Sequence, residues 1–479
     1  MILATVIVVL LIQFLMGHGA LCVLCPKERP SPEWAVSFLL GLPLSSLVVF
    51  LLDLAGIRIT LLAFLLASTV VLTALYVGSV RRPHRTRRMP RPMSVRIRVL
   101  GVKTYELVFL ALIVFLVLIS IWRCYYLPVT QRDAIVGFDL VAKYAAEQGT
   151  IRSTVFSDPH LQGHLSNQPY YAPFTAIMQI IFRLTGLQFG KVWLSVIFIA
   201  FLVFLYKRLA VFSHPILAGM LTVVFLSIPV MYAYTFTVQS DYSNAVFFAV
   251  SVILFHDYVR LGHRKLALLS AGFMGFACWT RSETIIFVPF GALAAYGFAR
   301  RYGAKEGVRV AILFVLIPAL FFSLWHVLYY TLYFKQTPGT QIILAGISPS
   351  RAISMVARLW VLFGNTSAYG YIFPIFALSL LVNLTLFRDR RGLDLLIWLG
   401  ILCLGFVMIL LLVPAASIEN TIKRGFFKLF PIMVFYLAQS RLYQFVSGKL
   451  SMWERDEIQG SLPTEPPLAA RPGTDACEK

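Results

Sequence analysis

Apolar stretches long enough to cross a membrane recur from the first residue to about residue 446, broken only by short polar segments. A helix needs roughly 20 mostly apolar residues to cross the hydrocarbon core, and a chain built of such stretches has lipid, not water, as its main solvent. Composition agrees. The chain is 59% hydrophobic and 13% charged, whereas a soluble domain is roughly 45–50% apolar and about 25% charged. The expected fold class is an all-α polytopic membrane protein, with about 13 transmembrane helices and external juxtamembrane helices. Little length remains for a separate soluble domain.

The formal net charge of +21 would suggest nucleic acid in a soluble protein. Here the basic residues gather in short loops between apolar segments, the positive-inside pattern, so the expected partner is membrane lipid and no nucleic acid. The strongest anchor is RRPHRTRRMPRPMSVRIR, residues 81–98, with eight arginines and no acid. With this loop cytoplasmic, the span at 104–122 runs outward to Trp122, Tyr125 and Tyr126, and 123–190 is external. Spans near 190–206, 215–233, 243–259, 266–279, 284–299, 310–333, 370–386, 393–414 and 426–440 then alternate, with a second external stretch at 334–369. Three earlier spans, 2–24, 34–52 and 57–79, put the N-terminus outside. The resulting division is 1–80, three N-terminal helices; 81–103, a basic cytoplasmic loop; 104–446, one membrane module; and 447–479, a disordered cytoplasmic tail.

The cysteines lie mostly in or beside apolar segments, so a disulfide framework is not expected, and Cys22-x-x-Cys25 lacks a partner pair for a metal. Asp53 and Arg58 sit at a tight outer turn and read as a surface pair. The external stretch is richer. Residues 134–147 have the spacing of an amphipathic helix on the membrane surface, preceded by Asp133. The segment FTAIMQIIFRLTG after Pro173 is too short to cross and suits a re-entrant or surface helix. Asp158, His160 and His164 look like metal ligands, but Pro159 and Gly163 spoil the helical geometry such a site uses.

The order of motifs on the external face resembles the GT-C superfamily of membrane glycosyltransferases, in particular its protein O-mannosyltransferase and lipid A aminoarabinose transferase branch. The resemblance runs from about 104 to 440. It is carried by Asp133-Ala134 opening the first external loop, with Lys143 and Gly149 after it, and by Gln168-Pro169-Tyr170-Tyr171-Ala172-Pro173 before the short apolar helix. Asp241, the tip Thr280-Arg281-Ser282-Glu283 and Arg424-Gly425-Phe426-Phe427 to Pro431 complete it. It implies an inverting transfer of a sugar from a polyprenyl-phosphate donor to a glycan, lipid or protein acceptor, at the outer face of a bacterial plasma membrane. The family's paired acids are reduced here to Asp133-Ala134, so no tightly bound divalent metal is expected, with Asp139 the only nearby substitute.

Such a transfer needs a carboxylate to activate the acceptor hydroxyl and cations to take up charge on the leaving phosphate. Asp133 is the expected base, helped by Asp241; Lys423, Arg424, Arg281 and Lys143 are the expected phosphate ligands; Asp139, Tyr170, Tyr171 and Glu283 complete the substrate site. Each has a plainer alternative. Asp133 and Asp241 can cap helices, Lys423 and Arg424 can reach for lipid headgroups, and Arg281 with Glu283 can be a structural pair. The rival functions are a transporter or flippase, with ionisable residues at the bilayer midplane, and a polysaccharide polymerase or ligase using diphosphate-linked glycans.

Overall fold

The computed structural model describes residues 2–25, 30–80, 104–162, 164–166, 168–334, 349–389, 391–412 and 418–460. All regular structure among them is helical. The principal helices are α1 (Ile2–Leu24), α2 (Glu33–Leu54), α3 (Leu61–Val80), α4 (Thr104–Tyr126), α5 (Asp139–Gln148) and α6 (Phe174–Leu184). They continue with α7 (Val192–Phe212), α8 (Pro215–Leu226), α9 (Ser240–Leu261), α10 (Arg264–Thr280), α11 (Val288–Ala299) and α12 (Ala304–Ser323). The last are α13 (Pro349–Phe363), α14 (Ile372–Thr385), α15 (Leu393–Leu412), α16 (Leu429–Gln439) and α17 (Arg441–Gly460).

Nine helical segments among the described residues are long and apolar enough to cross a membrane, which makes this an integral membrane protein. They coincide with nine of the spans expected from sequence. The other four are shorter. The span expected at 215–233 is cut at Pro229, which has no N–H to offer the preceding turn and starts a separate helix, Pro229–Ala233. α10 has 17 residues, α14 has 14 and α16 has 11.

At the centre stands α9, whose side chains are buried from Ser240 to Val259 under α7, α10, α15 and α16. A helix with no stripe turned to solvent belongs in the middle of a large bundle. α3 and α4 are the opposite case, with Leu62, Leu66, Val70, Val108, Phe115 and Leu118 turned outward to where lipid lies. The two ends of α9 mark the two ends of the bundle. Asp241 lies near one; His256 and Asp257, about 24 Å along the axis, near the other, where they pair with Asp394 and Arg208 at 2.7 and 2.6 Å.

α1 and α2 cross at Gly17 and Gly41. A Cβ on Gly17 would overlap the Ser37 carbonyl, and one on Gly41 the Gln13 carbonyl. Small residues let membrane helices approach to backbone contact, so Gly41→Leu is expected to force this pair apart and lower the unfolding temperature of the purified protein. Gly78→Leu, at an open position, should leave it unchanged.

The stretch after α4 is helical at 134–148, as anticipated, in a π turn (Ala134–Phe138) that runs into α5. Gly149 ends α5 with φ of 74°, a left-handed conformation that suits glycine, and its carbonyl accepts from the Ile59 N–H at 2.7 Å. α6 is not a surface helix: Phe174 to Phe182 are all buried, packed against α2, α5 and α7. The expected Asp53–Arg58 surface pair is also corrected. Asp53 is buried and accepts from Thr150 Oγ1 (2.7 Å), the Ile151 N–H (2.9 Å) and the Tyr329 hydroxyl, with Arg152 Nε at 3.5 Å. It therefore ties α2 and the end of the α12 segment to the turn after α5, because a carboxylate this deep needs several donors. The tail expected to be disordered from 447 is helical through Gly460; 461–479 lies outside the described residues, as do the basic loop 81–103 and residues 335–348 of the stretch expected to be external at 334–369.

Candidate functional site

Asp133 directly precedes the π turn, yet its carboxylate makes no capping bond. Oδ1 accepts from Ser166 Oγ at 3.0 Å, and Oδ2 lies 3.3 Å from Arg424 Nη1. The capping alternative therefore fails for Asp133. Asp241, in the first turn of α9, likewise does not cap; the N-cap is Gln239. Its buried carboxylate is ion-paired with Arg281 through Oδ1 and lies 3.6 Å from Arg424 through Oδ2.

Arg281 extends the contacts, because its Nε is 2.9 Å from Glu283 Oε1, which in turn lies 3.5 Å from Lys428 Nζ. Asp133, Arg424, Asp241, Arg281, Glu283 and Lys428 thus form one file of alternating charge, drawn from the segment after α4, α9, the α10–α11 tip and the turn before α16. Burying an ion costs several kcal/mol unless opposite charge and hydrogen bonds compensate it. Alternation supplies opposite charge to each interior member from both sides. The file is open at its Asp133 end and again at Glu283: the Asp133, Arg424 and Glu283 side chains are 26%, 17% and 21% exposed, against 1% for Asp241, 7% for Arg281 and 2% for Lys428.

Aromatic and amide groups surround the open end. Gln239 Oε1 accepts from Arg424 Nη1 at 3.5 Å, and the Tyr234 ring packs on Phe427. Burial pushes the Tyr234 phenol above its ordinary range, with Arg424 pulling the other way. Burial pulls the Arg424 guanidinium down, but Tyr234, Tyr171 and Asp133 outweigh it and the net direction is up, so Arg424 stays a cation. Tyr171 also stacks on Phe138, with ring centroids 5.0 Å apart. Tyr170 is turned elsewhere: its hydroxyl is 2.9 Å from that of Tyr330, and burial, then that contact, push its pKa up to about 12. The Trp325 Nε1–H bond to the Pro169 carbonyl (3.0 Å) and the Ser282 hydroxyl bond to the Tyr170 carbonyl (3.4 Å) fix this Pro-Tyr-Tyr segment beside the file.

Asp133, Asp241, Arg281, Glu283 and Arg424, chosen from sequence, therefore meet. Asp139 does not join them. It forms a two-pronged pair with Arg183 (2.8 Å to each oxygen) and accepts from Gln179 Nε2 (2.8 Å), which binds α5 to α6 and removes it as a substitute acid. Lys143 is exposed on α5 and makes no ion pair with the file among the described residues. Lys423 is half-buried next to Arg424, and its carbonyl accepts from the Tyr369 hydroxyl at 3.1 Å. Ser166, Gln239 and Lys428 were missed. For Lys428 a signal existed, since a lysine inside an expected span is a site candidate by default.

The file leaves no seat for a cation between Asp133 and Asp241, because the Arg424 guanidinium occupies it. Asp158 accepts from the His160 N–H at 2.9 Å and so caps its own turn. Among the described residues no group of three or more His, Cys, Asp and Glu could hold a metal ion. The arrangement can bind an anion at Arg424 and take a proton at Asp133. No family model, curated protein or solved structure matches this chain.

Proposed function

We propose that the protein is a glycosyltransferase that moves a sugar from a polyprenyl-phosphate donor to an acceptor hydroxyl, with inversion, at the bundle end bearing Asp133. The observation that carries this reading is the partly open Asp133–Arg424 pair joined to the buried Asp241 and Arg281. An arriving phosphate competes with Asp133 for Arg424 and frees the carboxylate. Asp133 then accepts the acceptor hydroxyl's proton as that oxygen bonds to the anomeric carbon, and the bond from that carbon to the phosphate oxygen breaks. Arg424 takes up the charge left on the phosphate.

Asp241, Arg281, Glu283 and Lys428 are positioning residues, holding Arg424 against recoil toward solvent. Lys423 and Lys143 supply a weaker cationic rim, and Tyr171 lines the sugar pocket. The chemistry asks for no metal. A carrier would place its ionisable residues facing a pathway at mid-membrane, whereas Asp133 and Arg424 stand at the end of the bundle, beside the external stretch.

The site faces outward from a plasma membrane in this reading, because Lys207, Arg208, Arg260, Arg264, Lys265, Arg300, Arg301 and Lys305 gather at the opposite end. In a cysteine-free background, an impermeant thiol reagent applied to intact cells should label Glu147→Cys and spare Lys305→Cys, both at exposed positions. The reverse pattern would invert the topology and remove the reading. Membranes containing the protein should then transfer label from one member of a panel of polyprenyl-phosphate sugars. Transfer confined to diphosphate-linked glycans would assign it to polymerases or ligases, and no transfer from any donor would end the proposal.

A further inference from the structure

Helix α17 does not re-enter the bundle. At its start the Arg441 N–H donates to Asp389 Oδ2 (2.9 Å) and the Leu442 N–H to Asn383 Oδ1 (3.0 Å), at the corner between α14 and α15. Farther along, Ser447 Oγ accepts from the His214 N–H (2.7 Å), and Glu454 accepts from the Tyr105 hydroxyl (2.9 Å) and pairs with His214 Nε2 (3.2 Å), at the starts of α8 and α4. All these anchors belong to the end of the bundle opposite Asp133, the end marked by the His256–Asp394 and Arg208–Asp257 pairs. The anchors span Arg441 to Glu454, about 20 Å of helix. A helix tied at both places to one end of a membrane bundle lies across that end, in the membrane plane.

The face turned from the bundle is apolar and cationic. Phe445 and Trp453 are 56% and 51% exposed, with Val446 and Met452 also exposed. Positions 445, 449, 452 and 453 share one side of a helix. Lys449 sits among them with Nζ 5.8 Å from the Phe445 ring centroid, and Arg441 and Arg391 flank the helix start. The Phe445 ring meets Phe387, where the exposed apolar stripe Leu378, Leu381 and Leu384 of α14, with Leu386 just beyond it, ends. The apolar side of α17 thus continues a surface that already faces acyl chains.

We infer that α17 is an interfacial helix that binds the anionic headgroup layer of that leaflet, its aromatic residues sunk into the boundary and its Lys449 and Arg441 paired with lipid phosphates. Aromatic, apolar and basic residues on one helix side are what such binding uses. The inference is independent of the transferase reading.

The test uses the full chain without native cysteines, in nanodiscs of phosphatidylcholine with or without phosphatidylglycerol, carrying one fluorophore at Met452→Cys or at Lys305→Cys. Brominated lipid should remove roughly half or more of the emission at 452, since such a face sits about 5–10 Å into the boundary, while aqueous iodide should quench mainly at 305. Lys449→Glu with Arg441→Glu should reduce lipid quenching at 452 in the anionic discs. Iodide quenching at 452 equal to that at 305 would overturn the inference. So would protection from both quenchers accompanied by a doubled particle mass, which would make the covering surface a second copy of the chain.

Discussion

Exchanging Asp133 for asparagine should cut transfer at least about a hundredfold, the minimum for loss of a general base, and leave the protein folded. Asparagine keeps the size and can still accept from Ser166 Oγ, and Arg424 retains Asp241 and Gln239 as partners. What it cannot do is receive the acceptor's proton. The matching control is Asp139→Asn, which strips the charge from a two-pronged pair with Arg183. Loss of a hydrogen bond to a charged group costs about 1.5–3 kcal/mol, so this variant should unfold at lower temperature while its dependence on donor concentration is unchanged. Rates and unfolding temperatures measured on both proteins separate the two roles. Near-normal transfer by the Asp133→Asn protein would show that the base lies elsewhere.

The other large effect is expected at Asp241, whose carboxylate is shared by two guanidiniums in the interior. Breaking a buried ion pair by removing one partner costs about 3–5 kcal/mol, because the remaining charge is stranded. Asp241→Asn should accordingly lower the unfolding temperature sharply and weaken donor binding, since Arg424 loses its inner support. The alternation of charge makes a second, sharper prediction. Replacing Asp241 and Arg281 together leaves Asp133 with Arg424 and Glu283 with Lys428, two neutral pairs. Asp241→Asn with Arg281→Gln should therefore be more stable than Asp241→Asn alone, although it removes more contacts. Thermal unfolding of the three proteins in detergent decides it, and additive losses would mean that the file does not act as one electrostatic unit.

Much of this was legible from the residues alone, and for a reason specific to membranes. Lipid expels charge from the middle of a span, so acids and bases sort to the ends of helices, and alternating spans gather Asp133, Asp241, Arg281, Glu283 and Arg424 at one end of the bundle. The nine long spans, and the helix opened by Ala134, were equally clear from length and spacing.

What the sequence could not specify is which way each helix turns about its own axis. α9 and α16 are buried on every side and carry no amphipathic stripe, so no face is preferred and nothing local says that Asp241 meets Arg281 and Arg424 rather than lipid headgroups. Pairings such as Arg424 with Asp133 join residues far apart in the chain and depend on those rotations. The same blindness put Asp139 in the site when it had already been committed to Arg183 and made a surface pair of Asp53; Lys428 was passed over for another reason, a signal left unread. Sequence alone determined that this is a helical membrane protein with chemistry-bearing residues gathered at one end. Only the packing of helices without a preferred face decided which carboxylate faces which cation, and so which of them remain exposed.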